Sequence, residues 1–289
     1  MKRFLEKHHE LAVAKVALAE AKAGELAPNI ADTGYELSLL TSFFMLDEML
    51  KRSSPPVSSL EIVPSGQTLG RRLEDTLAIR LRELVTEAGY PFEVASKGDP
   101  GTQTPQFDLT AYWPYATPPA VSAGPAVNTA LRQLGRGHLI QPDVVVWRTR
   151  LAKFHRVDGG RLLTEEHEVR QLFACISGKA TIRSDRSQSA RYEGIVVSRW
   201  GRARAPHFVV VTAEPVPSRL GSLAWGLGEI DCVYHVDLGS LVAAVEKAED
   251  EPLRLQPPRP SDELRELIEQ ARVRDLSDLF DDLFDDLGL

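Results

Sequence analysis

Apolar residues recur at helical spacing in the first third of the chain and gather into short unbroken runs after residue 140, so the chain changes its period along its length. Residues 1 to 24 alternate charges with Ala, Leu and Val and read as a helix ended by Gly24 and Pro28. Residues 37 to 51 read as a second helix, bounded by Ser53-Ser54-Pro55-Pro56. The strongest periodic pattern runs from 67 to 88, with Leu73, Leu77, Ile79, Leu81 and Leu84 near one face and Gly89 as a stop. Prolines and glycines around Phe107, Tyr112, Trp113 and Tyr115 make 97 to 127 a long irregular loop. Four short runs, 143 to 147, 171 to 177, 207 to 213 and 229 to 236, have the Val/Ile/Phe content of buried strands. Helices fit between them at 185 to 200 and 218 to 227, which predicts an α/β sandwich with a central, partly parallel sheet. The proline-rich 252 to 260 reads as a linker to a last helix. In it Leu276, Leu279, Phe280, Leu283, Phe284 and Leu287 form an apolar stripe, read as core or subunit contact.

At 289 residues and 43% apolar content, the chain can bury a substantial core as one domain over 1–289, with a helical N-terminal part and a C-terminal helix. Cys175 and Cys232 sit in apolar runs and read as reduced thiols, not a disulfide framework. No run approaches the ~18 apolar residues of a membrane span, so a soluble cytoplasmic protein is expected. A net charge of -7 argues against a nucleic-acid partner only if it is evenly spread. It is not: seven basic residues against two acidic ones lie between Lys179 and Arg204, while the last fifteen residues hold six aspartates and no Lys or Arg.

Pro142-Asp143 opens one predicted strand and Ser177-Gly178-Lys179 closes the next. Residues two apart on a strand share a face, so Ser177 and Lys179 point the same way, and Asp143 can meet them across an adjacent strand. A carboxylate beside an ammonium group in a partly dry cleft suits Mg²⁺ plus lysine. Asp143 would hold the ion, and Lys179 would position or deprotonate the attacking water and balance phosphate charge. The string is short, and Asp143 reads equally as a strand-edge charge. The Ser-x-Lys order also fits a hydrolase in which Lys179 deprotonates Ser177, but such a site has no use for the charges that follow. On a helix from 185 to 200, Arg186, Ala190, Glu193 and Val197 share a stripe, so Glu193 can reach back to the Lys179 strand. Arg grips guanine O6 and N7 and Asp accepts from cytosine N4, so Arg183, Asp185 and Arg186 can read G·C pairs. Alternatively they are a solvated helix start, with Asp185 near the dipole.

The segments IRSDRSQSARYEG (182 to 194) and PHFVVVTAEPVPSRLGSLAWGLGEIDCVYHV (206 to 236) are similar to the NgoMIV family of type II restriction endonucleases, which belongs to the group reading a CCGG core. The likeness is nearly residue for residue over 176 to 191 and 206 to 235. It returns more faintly at 29 to 34, 66 to 74, 141 to 148 and 274 to 279.

The resemblance implies a restriction-endonuclease-like three-layer α/β sandwich of the PD-(D/E)XK superfamily, with a mixed sheet flanked by helices. It implies Asp143, Lys179, Glu193, Ser177 and Glu74 as catalytic residues, with metal held by Asp143 and the carbonyl of Gly178, where the family carries cysteine. It implies Arg183, Asp185 and Arg186 as readers of the CCGG core, Gln67 as a minor-groove contact, and Arg219, partnered by Asp32, as reader of the outer pair. NIADTG around Asp32 departs from the family pattern, and the connection from Asp143 to Lys179 is shorter than in the family. The expected activity is Mg²⁺-dependent cleavage of double-stranded DNA at GCCGGC, leaving four-base 5′ overhangs. Mn²⁺ is expected to substitute, and Ca²⁺ to support binding without cleavage. A dimer or a tetramer of two back-to-back dimers and a cognate DNA methyltransferase are the expected partners, in a prokaryotic cytoplasm. A different outer pair, a non-cleaving DNA-binding module and the Ser/Lys hydrolase are the alternatives.

Overall fold

Three consecutive valines after Asp143 start the strand around which the fold is built. Val144, Val145 and Val146 are fully buried, so both faces of the sheet are covered here. β-branched side chains suit a pleated surface packed on both sides. The computed structural model describes residues 18–20, 26–52, 66–97, 112, 142–200, 205–253, 255 and 257–284.

β1 (Leu18–Glu20) and β2 (Leu26–Pro28) pair antiparallel as a small separate ribbon. Helices α1 (Glu36–Arg52) and α2 (Gly66–Glu87) follow. The main sheet has the order β3-β4-β5-β6-β7-β8. Its strands are β3 (Glu93–Ser96), β4 (Val144–Asp158), β5 (Arg161–Lys179), β6 (His207–Thr212), β7 (Cys232–His235) and β8 (Val273–Asp275). β3, β4 and β5 pair antiparallel, whereas β5 through β8 run parallel. Parallel neighbours need crossovers. These are α3 (Ser184–Trp200), α4 (Pro217–Ala224), and α5 (Leu238–Glu249) with α6 (Pro260–Glu269). A 3₁₀ turn (Leu276–Asp278) and α7 (Leu279–Phe284) close the described chain.

The result is a mixed α/β sandwich. At the end of β5 the Ser177 side chain meets α3, while a β-carbon on Gly178 would face Glu74 of α2. Successive strand residues point to opposite faces, so α2 and α3 cover opposite sides of the sheet.

Several sequence expectations need correction. The N-terminal helix of 1 to 24 is broken by strand β1; its other residues lie outside the described ones. β4 and β5 extend far beyond 147 and 171 as a hairpin ribbon, turned at Gly159 and Gly160, both with positive φ (56° and 79°). That pair of left-handed residues is the two-residue turn whose twist matches antiparallel strands. Ile79 faces solvent at 52% exposure, and Ala78 and Val85 join Leu73, Leu77 and Leu81 inside. Of the predicted loop from 97 to 127, only Lys97 and Tyr112 are described; Tyr112 is buried with its ring centroid 6.0 Å from that of Trp147. The single last helix is in fact α6, β8 and α7. The apolar stripe belongs to the core: Phe284 packs with Tyr90 and Phe173 at 5.2 and 5.3 Å, while Leu287 lies outside the described residues. Both cysteines are free, Cys175 buried and Cys232 partly exposed. No helix among the described residues is long and apolar enough to cross a membrane.

Candidate active site

Asp143 ends the loop before β4, and β4 lies beside β5, so the carboxylate falls level with the last residues of β5. Its Oδ2 accepts from the Lys179 ammonium at 2.9 Å, from the Gly178 N–H at 3.0 Å and, at 3.5 Å, from the Ser177 hydroxyl. Its Oδ1 accepts from Lys97 at 2.9 Å. Glu193 comes down from the third turn of α3: its Oε2 accepts from Ser177 at 2.8 Å, and its Oε1 lies 3.7 Å from the Lys179 ammonium. The period-2 face and the helical stripe thus bring together the residues that the sequence placed near each other.

The electrostatics are those of a crowded, half-dry anionic pocket. Burial opposes ionisation of Asp143, but Lys179 and Lys97 outweigh it and hold the carboxyl below its usual range. Burial likewise opposes the charge on Lys179, yet Asp143 and Glu193 raise its pKa, so it is a firm ammonium ion that positions and neutralises rather than accepting a proton. Glu74, on α2, is pushed up to about 7, first by burial and then by the Asp143 charge. A cleft of about 620 Å³ opens in front of these groups, and Glu74, Lys97, Lys179, Asp185 and Arg186 share its walls.

The predicted readers divide into two places. Arg183 and Asp185 are exposed at the start of α3. Arg186 is held back by the loop before it, donating to the carbonyl oxygen and the hydroxyl of Thr181 at 3.2 and 2.9 Å. Arg219, in the first turn of α4, donates to Asp32 Oδ2 at 2.7 Å and lies 5.5 Å from the Tyr35 ring centroid. That hydrogen bond is the main cause of the lowered Asp32 pKa, and the Arg183 charge adds to it. Gln67 stands in the first turn of α2; its side chain is outside the described set, as are those of Arg199, Arg202 and Arg204.

Two residues escaped the sequence reading. Lys97 follows a four-residue strand that carries too short a pattern to be recognised, and its role depends on that strand pairing with β4. Glu214 sits in an apolar stretch before Pro215 and is fully buried. Ser177 is also fully buried and donates its hydroxyl to Glu193, so it is not presented as a nucleophile, which removes the basis of the Ser/Lys hydrolase reading.

Among the described residues, no group of three or more His, Cys, Asp or Glu could hold a metal ion by itself. A hard divalent cation that keeps waters and takes phosphate oxygens needs fewer protein ligands. The donor set fits that need: Asp143 accepts the Gly178 N–H, Glu74 stands over the same glycine, and both carboxylates are hard oxygen donors.

The NgoMIV restriction enzyme family model matches residues 7–284. Type II restriction enzyme NgoMIV of Neisseria gonorrhoeae is 36% identical over 187 residues, covering 60% of this chain and 63% of that protein, so the match spans less than two thirds of the relative. Two solved structures are more distant, each 12% identical. The restriction endonuclease PspGI–substrate DNA complex has a TM-score of 0.31 and covers 99% of this chain and 91% of its own. Type IIF restriction endonuclease Bse634I with cognate DNA has a TM-score of 0.32 and covers 92% and 95%. At those scores neither bears on the site.

Proposed function

Because the chain belongs to the NgoMIV restriction enzyme family, we propose that it is a type II restriction endonuclease that hydrolyses double-stranded DNA at GCCGGC in the presence of Mg²⁺, leaving four-base 5′ overhangs. The observation that carries this reading is the convergence of Asp143 and Glu193 on Lys179 at one end of the sheet, beside a cleft that Lys179 lines together with Asp185 and Arg186. A serine hydrolase or a plain binding module has no need of both halves.

Asp143 and the Gly178 carbonyl would hold the metal, with Glu74 and Glu193 binding its waters or a second ion. A divalent ion there would polarise the phosphate and lower the pKa of a bound water. Lys179, fixed by Asp143, offsets charge on the phosphate and orients the attacking water opposite the leaving oxygen. Arg183, Asp185 and Arg186 would read the CCGG core, Gln67 the minor groove, and Arg219 with Asp32 the outer pair. Thr181 holds only Nη1 of Arg186, which orients the guanidinium and leaves its other edge for a base.

A palindromic site requires two copies of this reading surface, so the working form is a symmetric dimer or a tetramer of dimers. The β4–β5 ribbon supports such assembly, since it carries Leu151, Val157 and Leu162 at 62 to 74% exposure. A cognate methyltransferase in the same prokaryotic cytoplasm would protect host sites. Digesting a plasmid of known sequence with and without Mg²⁺, and sequencing the ends, tests the reading: cuts confined to GCCGGC are expected. Cuts at a different CCGG-core site would replace the assigned outer pair, and the absence of metal-dependent cutting would overturn the proposal.

A further inference from the structure

β6 ends at Thr212, and the chain continues through Ala213 into Glu214, whose side chain is fully buried. One of its oxygens, Oε2, accepts the backbone N–H of Ile182 at 2.6 Å. The other, Oε1, accepts the N–H of Val216 at 3.1 Å and lies 3.8 Å from the Arg219 guanidinium. The backbones are joined alongside, the Ala213 N–H donating to the Ala180 carbonyl at 3.1 Å.

Ile182 immediately precedes Arg183 and the helix start bearing Asp185 and Arg186, and Val216 immediately precedes the helix bearing Arg219. One carboxylate therefore holds both arms that carry the reading side chains. The groups within hydrogen-bond or ion-pair reach are donors, two amides and a guanidinium, with the Asp32 carboxylate beyond Arg219, so each branch of the side chain has to be an acceptor. Glutamine would turn an NH₂ towards one of these donors, and alanine would leave two buried amides without partners. Burial pushes the carboxyl up to about 7, against the pull of the two amides and Arg219, so the site keeps an acid where the surroundings disfavour its charge.

Building on the proposed function, we propose that Glu214 is a positioning residue for specificity: it fixes the separation between the Arg183/Asp185/Arg186 arm and the Arg219 arm, so that inner and outer base pairs are read as one unit. Asp32 completes the outer arm by holding the other side of Arg219.

The test uses the full-length protein and its variants Glu214→Gln, Glu214→Asp, Arg219→Ala and the Glu214→Gln/Arg219→Ala double. Single-turnover cleavage in Mg²⁺ is compared on GCCGGC duplexes and on duplexes altered at the outer or the inner pair. Glu214→Gln is expected to lose about tenfold in discrimination at each position, of the order carried by one good base contact. Its rate on saturating GCCGGC should stay within about threefold of wild type, because Asp143 and Lys179 are untouched. Glu214→Asp, which retains two acceptors, should recover part of the loss. In the Arg219→Ala background, Glu214→Gln should cost nothing more at the outer pair but still cost discrimination at the inner one, a non-additivity that general loosening of the fold would not produce. Wild-type discrimination in both Glu214 variants, or fully additive losses at the outer pair, would overturn the proposal alone. Wild type that ignores the outer pair, or fails to cut GCCGGC, would overturn the proposed function and this inference with it.

Discussion

Replacing Lys179 by methionine separates the chemistry from the fold. Methionine keeps the apolar stem and removes the ammonium group, which lies 2.9 Å from Asp143 and 3.7 Å from Glu193. Asp143 loses one charge-assisted hydrogen bond, a contribution of about 1.5–3 kcal/mol. It retains Lys97 at 2.9 Å and the Gly178 N–H at 3.0 Å, so its charge stays compensated. Removing an ammonium that is 16% exposed also recovers part of its desolvation cost, leaving a net loss of about 1 kcal/mol. A fall in melting temperature of about 2–4 °C is expected. On the proposed function the reaction would lose far more: a unit charge held about 4 Å from the phosphate would contribute about 4 kcal/mol at an effective dielectric constant of about 20. That corresponds to about a thousandfold in rate. The assay pairs plasmid cleavage in Mg²⁺ with gel shift of a GCCGGC duplex in Ca²⁺ and a thermal melt. Cleavage should collapse while the shift holds and the melt falls by no more than that small amount. Cleavage within threefold of wild type would refute the catalytic role, and parallel loss of binding and cleavage would reassign Lys179 to structure.

On the proposed function, Lys97 occupies an oxygen of Asp143 that an entering cation would need, and it is partly exposed. Lys97→Gln should tighten terbium or calcium binding about fivefold, the scale of a partly exposed ion pair; titration by terbium luminescence that shows weaker binding would sink the idea. A β-carbon on Gly194 would come 2.0 Å from the carbonyl oxygen of Glu229, so Gly194→Ala should cost about 3 kcal/mol and lower the melting point accordingly, and an unchanged melt would contradict the close packing of α3. Stability should also fall with rising pH because of Glu214. Its carboxyl binds a proton more tightly folded, at about 7, than unfolded, at 4.5. The folded state then holds more protons between those values, and about 3 kcal/mol present below the lower one is lost as pH rises through the upper. Urea titrations from pH 5 to 8 should show that decline in wild type and a shallower one in Glu214→Gln; equal slopes would contradict the burial argument.

Local periodicity carried the sequence reading a long way. Ser177 and Lys179 share a face because a strand repeats every two residues, and Glu193 follows Arg186 around α3 because a helix brings such positions into one stripe. Both predictions need only the immediate neighbours of each residue, and the structure brings all these side chains to the same end of the sheet. Elsewhere the local signal was missing. The distal β4–β5 ribbon is exposed on both faces, so no apolar alternation marks it. The break after α6 falls at Ala271, which takes the left-handed conformation (φ 52°) usually signalled by glycine.

The sequence by itself determined the sandwich, its mixed sheet and the side chains on either flank of the cleft, since these follow from period, charge and likeness to a family. The tertiary structure alone decided which groups share a charge. Lys97 and Asp143 are 46 residues apart, and Ile182 and Glu214 are 32 apart. Their contacts exist because distant strands and loops pack side by side, and electrostatic energy depends on distance in space rather than along the chain.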